Sequence, residues 1–394
     1  MSPLGPVVGY WPGTVDLHPP GSEPACRPHV WERSRLEWRS RDGGDPLQLL
    51  EAFLVDAGLP VSDVSRSRTV TDGVCGAAVL LAPPSAVASP APGVPDLVAV
   101  VYAHTPPPYA FAGPAVPGDG RVGPWTPSWT PGEHAAAVEA VRAAIARGDV
   151  YQANVVGHAS APFAGDPCAA LARVAALPGA RYGGVLSGAD GGWWVACASP
   201  ETLVEVAGGR AVTRPIKGTR PATAQGRAEL LASAKERAEH VMIVDLERND
   251  LGRVARTGSV RVDELFAIRR WSRLWQAEST VSADLAPGVG LAGLLGAVWP
   301  GGSVTGAPKL AAIDVVSALE PVGRGPSMGA AGWIGHGADG RLRVDLGLTI
   351  RTVAVADGLA HVWAGGGIVW DSDPVAEVAE AAAKTAPIKA ALSA

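Results

Sequence analysis

TRPIKGTRPA, residues 213–222, sets Lys217 between an isoleucine and a Gly-Thr turn, with Arg214 and Arg220 three residues away on either side. In a chain that is 47% hydrophobic and 18% charged, three cations within seven residues read as a receptor for a small anion. Gly218 lets the backbone approach a ligand, and the adjacent N–H groups of Gly218 and Thr219 can cradle negative charge. A partly desolvated amine beside two arginines is also suited to nucleophilic attack. An ordinary turn carrying a solvated lysine fits the same residues.

The rest of the composition narrows the setting. A chain of 394 residues with this apolar content can bury a large core as one large domain or two to three ordinary ones. Gly 49 and Pro 35 make up about a fifth of it, below the low-complexity range. A formal net charge of −5 speaks against phosphate-backbone binding, so no nucleic acid is expected. Apolar runs are broken by Gly, Pro or charge well short of a membrane span, and the N-terminus lacks the pattern of a secretory leader. The four cysteines, Cys26, Cys75, Cys168 and Cys197, form no CxxC pair and read as reduced packing thiols. The expectation is a soluble cytoplasmic protein with no membrane contact.

Along the chain, residues 1–130 are Pro-rich and poorly periodic, with a candidate strand at 98–104 between Pro-rich loops (82–95 and 105–120). Order improves over 131–394. EHAAAVEAVRAAIARG (133–148) reads as a helix closed by Gly148, and RAELLASAKERAEHVMIVDLERND continues in helical period. GGWWVACAS, GRLRVDLGLTIRTV and GLAHVWAGGGIV read as strands. Strands and helices mix without a βαβ beat, which favours α+β. GDGRVG (118–123) matches GxGxxG without a feeding strand and is a turn.

Several stretches concentrate polar chemistry. SPE (199–201) delivers Glu201 at the end of an apolar strand, as an acid in a site or as a solvated surface carboxylate. Glu236 and Glu239 share one helix face, and EVAEAAAK (377–384) puts Glu377, Glu380 and Lys384 on another. Two such helices meeting would make an oxygen-ligand site suited to Mg²⁺, and each pair alone also fits a solvated face. PGGSVTGAPK (300–309), with Thr305, and AGGGIV, with Gly365, Gly366 and Gly367, read as loops whose N–H groups point into a pocket. Arg351, in an otherwise apolar strand, should meet a carboxylate, either a ligand's or a structural partner such as Asp345 or Asp245.

SPE, PIKGT, AEHVMIVDLERNDLGRV, PGGSVTGAPK, LTIRT and AGGGIVWDSDPVAE occur in the order and spacing of the chorismate-utilising enzymes, which this sequence resembles over roughly residues 130–394. Lys217 makes it similar to the aminodeoxychorismate synthase component I branch, since the anthranilate and isochorismate branches usually carry Ala there. The resemblance implies a single α+β domain: two antiparallel sheets packed face to face, helices outside, residues 1–130 forming a divergent part of the same fold. It implies that Lys217 attacks C2 of chorismate while Glu201 protonates the departing C4 hydroxyl, after which ammonia adds at C4 and expels the lysine. Mg²⁺ would be held by Glu239 and Glu380, supported by Glu236 and Glu377. Arg351, Thr305, Gly218, Thr219, the Gly365–Gly367 segment and Lys384 would bind substrate. No cysteine sits in a nucleophile-elbow context, so ammonia should come from a separate glutamine amidotransferase subunit. Gln276 stands where the family commonly has histidine, and Ser327 where it has an aromatic. An anthranilate or 2-amino-2-deoxyisochorismate synthase, or a non-catalytic chorismate-binding relative, are the alternatives.

Overall fold

VCGAAVLL and LVAVVYAH lack polar alternation, and in the computed structural model both are strands inside a sheet, buried along their length. The structure describes residues 30–70, 73–84, 93–104, 120–271, 274–337 and 339–394. Cys26, the N-terminal stretch and most of the Pro-rich loops lie outside them. Ten strands form the first sheet. In spatial order they are β1 (Val30–Trp38), β3 (Leu97–His104), β2 (Val74–Leu81), β15 (Ala330–His336), β16 (Leu342–Leu348), β9 (Thr202–Ala207), β10 (Arg210–Arg214), β13 (Leu274–Asp284) and β11 (Ile216–Pro221). The tenth, β12 (Arg261–Trp271), pairs with β13 off that path. The second sheet runs β14 (Gly306–Ala307), β6 (Gln152–Ala164), β18 (Leu359–Ile368), β17 (Thr352–Ala356), β8 (Trp193–Ser199) and β7 (Tyr182–Ser187). Short strands β4 (Arg121–Val122) and β5 (Thr126–Pro127) flank β6, so the described part of GDGRVG is an edge pairing.

The helices are α1 (Pro46–Asp56), α2 (Pro131–Arg147), α3 (Cys168–Ala175), α4 (Ala224–Ala232), α5 (Ala234–Gly252), α6 (Leu291–Val298), α7 (Lys309–Ser317) and α8 (Pro374–Ser393). Their ends follow local chemistry. Thr130 and Glu133 cap α2 reciprocally, Pro131 opens it, and Gly148 closes it in the left-handed region at φ +83°. The long helical period expected through residues 227–250 is interrupted at Ser233, whose extended backbone ends α4 and whose hydroxyl accepts from Glu236 N at 3.2 Å to start α5. An internal N-cap outweighs continuity of period.

The main core joins both sheets: Val204, Leu346 and Leu203 from the first pack with Trp193, Val195, Leu186 and Trp363 from the second, beneath α1 and α6. A separate cluster covers the other side of the second sheet with α3 and α8, and a third seats α2 and α7 on β6. The architecture is α+β, two antiparallel sheets face to face with helices outside. At one crossing Tyr182 donates to Asp345 at 2.8 Å and its ring lies against Gly347, where a Cβ would overlap it. Gly347→Ala should therefore destabilise by roughly 1–3 kcal/mol through overpacking. Urea unfolding checks this, and a variant as stable as the parent would show that the sheets can separate there freely.

Candidate functional site

Lys217 lies on β11, paired with β13 in the register Ile216↔Glu278, Lys217↔Ala277, Thr219↔Gln276. Gly218 is the extra residue of a bulge, at φ +77°, and a Cβ there would meet a Glu236 oxygen at 2.9 Å. Glycine thus admits α5 close to the strand. The half-buried Lys217 amine donates to the Ser303 carbonyl at 3.5 Å and has no ion-pair partner among the described residues. The anion-receptor reading of all three cations needs correction. Arg214 pairs with Glu205 at 2.5 Å and Arg220 with Glu236 at 3.4 Å, so both neighbours answer the protein's own carboxylates. Thr219 is exposed on the strand.

Glu201 is buried, so the solvated-surface reading fails. Its backbone is fixed by Glu201 N to Ser199 Oγ at 3.2 Å and by its carbonyl accepting from Leu348 N at 3.0 Å. Its carboxylate accepts from Ile216 N at 3.5 Å, one residue before Lys217. Burial raises its pKa, against the opposing charge of Lys217, a direction that suits a proton donor. Arg351, at φ +51°, accepts from Ala198 N through its carbonyl at 3.1 Å, and its guanidinium makes no hydrogen bond or ion pair among the described residues. The structural partners considered for it are engaged elsewhere: Asp345 with Tyr182, and Asp245 with Arg248 at 2.8 Å. Burial lowers the Arg351 pKa, with Glu201 the carboxylate acting on it. A desolvated guanidinium without a protein partner can receive a ligand carboxylate.

Gly365, Gly366 and Gly367 are strand, not loop, opposite Val156, Val155 and Asn154 of β6. Their lack of side chains has a steric cause. A Cβ at 365 would overlap the Val155 carbonyl, at 366 would sit 2.7 Å from a Glu377 oxygen, and at 367 would sit 2.6 Å from Gln152 Nε2. Lys384 donates to Gly365 O at 2.7 Å and pairs with Glu380 at 2.8 Å. Thr305 is buried, and its hydroxyl is committed to Gly301 O at 2.8 Å within its own turn.

The four acids do approach one another across α5 and α8. Burial raises the pKa of Glu239, helped by the charges of Glu236 and Glu377, and burial raises Glu377 with help from Glu380. Lys235 stands 3.7 Å from Glu239, and Ser372 donates to Glu377 at 2.8 Å. At Glu380 burial works upward, but Lys384 beside it gives a net lowering. Among the described residues no three such groups chelate a cation directly. Any hard cation taken by these acids would therefore be held largely through intervening water, the mode of binding that Mg²⁺ tolerates.

The same face of α5 carries two residues that sequence reasoning passed over, though the helical spacing, four from Glu236 to His240 and seven from His240 to Glu247, was a readable signal. His240 is fully buried, edge-on to Phe266 at 5.3 Å, with neither ring nitrogen partnered among the described residues. Burial and Lys217 push it down to about 4 and keep it neutral. Glu247 is pushed up to about 8 by burial, with Asp250 and Glu201 adding to the effect. One turn on, Asp250 is held by Lys309 at 2.7 Å. Gln276 is buried with Oε1 unpartnered, and Ser327 is buried, donating to Thr349 O at 3.3 Å.

In the folded chain Glu247 keeps its proton up to about pH 8, against 4.5 for an ordinary glutamate. Its contribution to stability is therefore complete below pH 4.5 and is lost as pH rises through about 8. Glu247→Gln, an uncharged isostere, should gain on the order of 1–3 kcal/mol over the parent at alkaline pH and little at pH 4. Melting curves across pH decide this; a gain that is independent of pH would remove Glu247 as the titrating group.

A family profile described as chorismate binding enzyme matches residues 112–390. The chain is 41% identical over 287 residues to the anthranilate synthase component 1 of Streptomyces coelicolor, covering 70% of this chain and 55% of that protein. It is 38% identical over 265 residues to the aminodeoxychorismate synthase component 1 of Bacillus subtilis, covering 65% of this chain and 54% of that protein. The matched stretch spans about half the length of these relatives. The crystal structure of anthranilate synthase component I from Streptococcus pneumoniae superposes with a TM-score of 0.70 at 23% identity, covering 95% of this chain and 96% of that one. The fold is shared with that structure, and the chain belongs to the chorismate binding enzyme family.

Proposed function

We propose that the protein converts chorismate and ammonia to 4-amino-4-deoxychorismate, as an aminodeoxychorismate synthase component I. One observation carries the reading: among the described residues Lys217, unlike its neighbours Arg214 and Arg220, makes no ion pair with a carboxylate, and it points at the Ser303 carbonyl beside buried Glu201. Arg351 would bind a chorismate carboxylate, and Lys384 would add positive charge near the Gly365–Gly367 wall. The neutral Lys217 amine forms a bond to C2 of the ring. The double bond shifts, and the C4–O bond breaks, with Glu201 supplying the proton that lets the oxygen leave as water. Ammonia then bonds to C4, the double bond returns, and Lys217 departs, the proton lost by the incoming ammonium passing back to the leaving amine. Two easier displacements replace one poor one. Bound by Glu239 and Glu380 with Glu236 and Glu377 behind them, Mg²⁺ would neutralise a substrate carboxylate. Ammonia would come from a glutamine amidotransferase partner, a role consistent with the component 1 names of the relatives.

The 41% identity to an anthranilate synthase supports 2-amination as the second reading. Product identification after incubation with chorismate, Mg²⁺ and ammonium separates the two. The 4-amine is expected; anthranilate as the main product would overturn the first. Ammonium should suffice for the isolated chain, and glutamine should work only with an added glutaminase. Lys217→Ala should lower 4-amination on the order of 10³-fold, about 4 kcal/mol of barrier. Lys217→Arg should give no rescue, because guanidinium stays protonated. Full 4-amination by the alanine variant would leave Lys217 an electrostatic guide only.

The metal is tested separately. Glu239→Gln and Glu380→Gln should each raise the Mg²⁺ concentration for half-maximal rate about tenfold or more, roughly 1.4 kcal/mol of binding, with circular dichroism unchanged. Unaltered Mg²⁺ dependence in both would make the acids a solvated face.

A further inference from the structure

Behind the turn that faces Lys217 lies a buried ion pair that the proposed chemistry does not use. Arg324 Nε and Nη2 donate to the two Glu320 oxygens at 2.9 and 2.7 Å, and both side chains are buried. The same guanidinium donates through Nη1 to Val304 O and through Nη2 to Asn154 O, each at 2.7 Å. Glu320 Oε1 also accepts from Val156 N at 3.1 Å. Two charges thus reach three chain segments.

Each segment forms a wall of the site. Val304 adjoins Ser303, whose carbonyl accepts from Lys217. Asn154 and Val156 pair with Gly367 and Gly365 across β6 and β18. The third segment is the one Arg324 begins: Arg324 O accepts from Ser327 N at 2.9 Å, and residues 328–329 are stitched to Thr349, with Met328 N to Thr349 O at 2.8 Å and Gly329 N to Thr349 Oγ1 at 2.6 Å. Arg351 follows two residues later. A planar fork is needed to satisfy a carboxylate and two carbonyls at once, which an ammonium on a flexible stem cannot do.

We infer that Glu320 and Arg324 are a positioning pair that sets the nucleophile's side of the cleft in register with the Gly365–Gly367 wall and Arg351. The inference rests on the proposed function for the identity of the nucleophile, but not for the clamp itself. A displacement of about 1 Å that ground-state binding tolerates can cost chemistry on the order of 10²-fold. The pair should therefore act on kcat more than on KM.

The test uses the full chain with Glu320→Leu and Arg324→Met combined, since replacing both partners of a buried pair by apolar groups is often neutral for stability, whereas removing one strands a charge. Arg324→Lys serves as the conservative control. Chorismate disappearance is followed whatever the product, together with amide hydrogen exchange of residues 302–306. The double variant should melt near the parent temperature, exchange faster in 302–306, and lose kcat on the order of 10²-fold with KM shifted only a few-fold. Arg324→Lys should not restore the rate. Unchanged exchange protection in 302–306 overturns the inference whatever the rate, and so does a folded double variant with parental kcat. A parent product other than the 4-amine overturns the proposed function and leaves this comparison readable.

Discussion

Desolvation of carboxyl groups along one face of α5 is the constraint around which the site is organised. Glu236, Glu239, Glu247 and Asp250 descend that face against the first sheet, where burial disfavours negative charge. Each is resolved differently. Glu236 meets Arg220, Glu239 meets Lys235 and senses Lys217, and Asp250 meets Lys309. Glu247 makes no ion pair among the described residues, and burial outweighs the more distant Lys309, so it keeps its proton. The gradient runs from half-exposed acids at the N-terminal end, where a cation and solvent could reach, to a neutral acid and a buried ion pair at the other. Lys217 sits beside this gradient and acts on it, opposing the upward shift of Glu239 and helping to keep His240 neutral.

Much of this was legible in the amino-acid sequence, and the limits have physical causes. Caps are local, so Gly148 announced the end of α2, and the spacing of three between acids placed Glu236 with Glu239 and Glu377 with Glu380 on single faces. The ordered motifs carried the fold class. Pairings between distant strands were not legible. Arg214 and Arg220 look like neighbours of Lys217 in sequence, yet Glu205 and Glu236 arrive from other elements and engage them. The glycines of AGGGIV have loop-like composition, but their strand state follows from β6 and α8 pressing on them. Ser233 reads as one polar residue in a helical run, and its capping role shows only in its backbone angles.

Family membership and fold are secure because a profile and a structural match cover most of the chain. The specific activity is a finer question, since relatives named anthranilate synthase and aminodeoxychorismate synthase match at about the same identity. The difference has to lie in a few side chains around a common backbone. Under the proposed function Lys217 would be one such position, and Gln276, buried on the neighbouring strand with its amide oxygen unpartnered among the described residues, would be another.

The glycine wall of β18 restricts how such an enzyme can diversify. Residues 365–367 sit against the Val155 carbonyl, the Glu377 carboxylate and the Gln152 amide, so no methyl group can be added without displacing backbone, a candidate metal ligand or the buried Gln152 side chain. That side of the cleft is closed to mutational drift and offers selection nothing to vary. Variation is left to positions such as 217 and 276, on the paired strands β11 and β13, where a side chain is already present and can be exchanged one at a time.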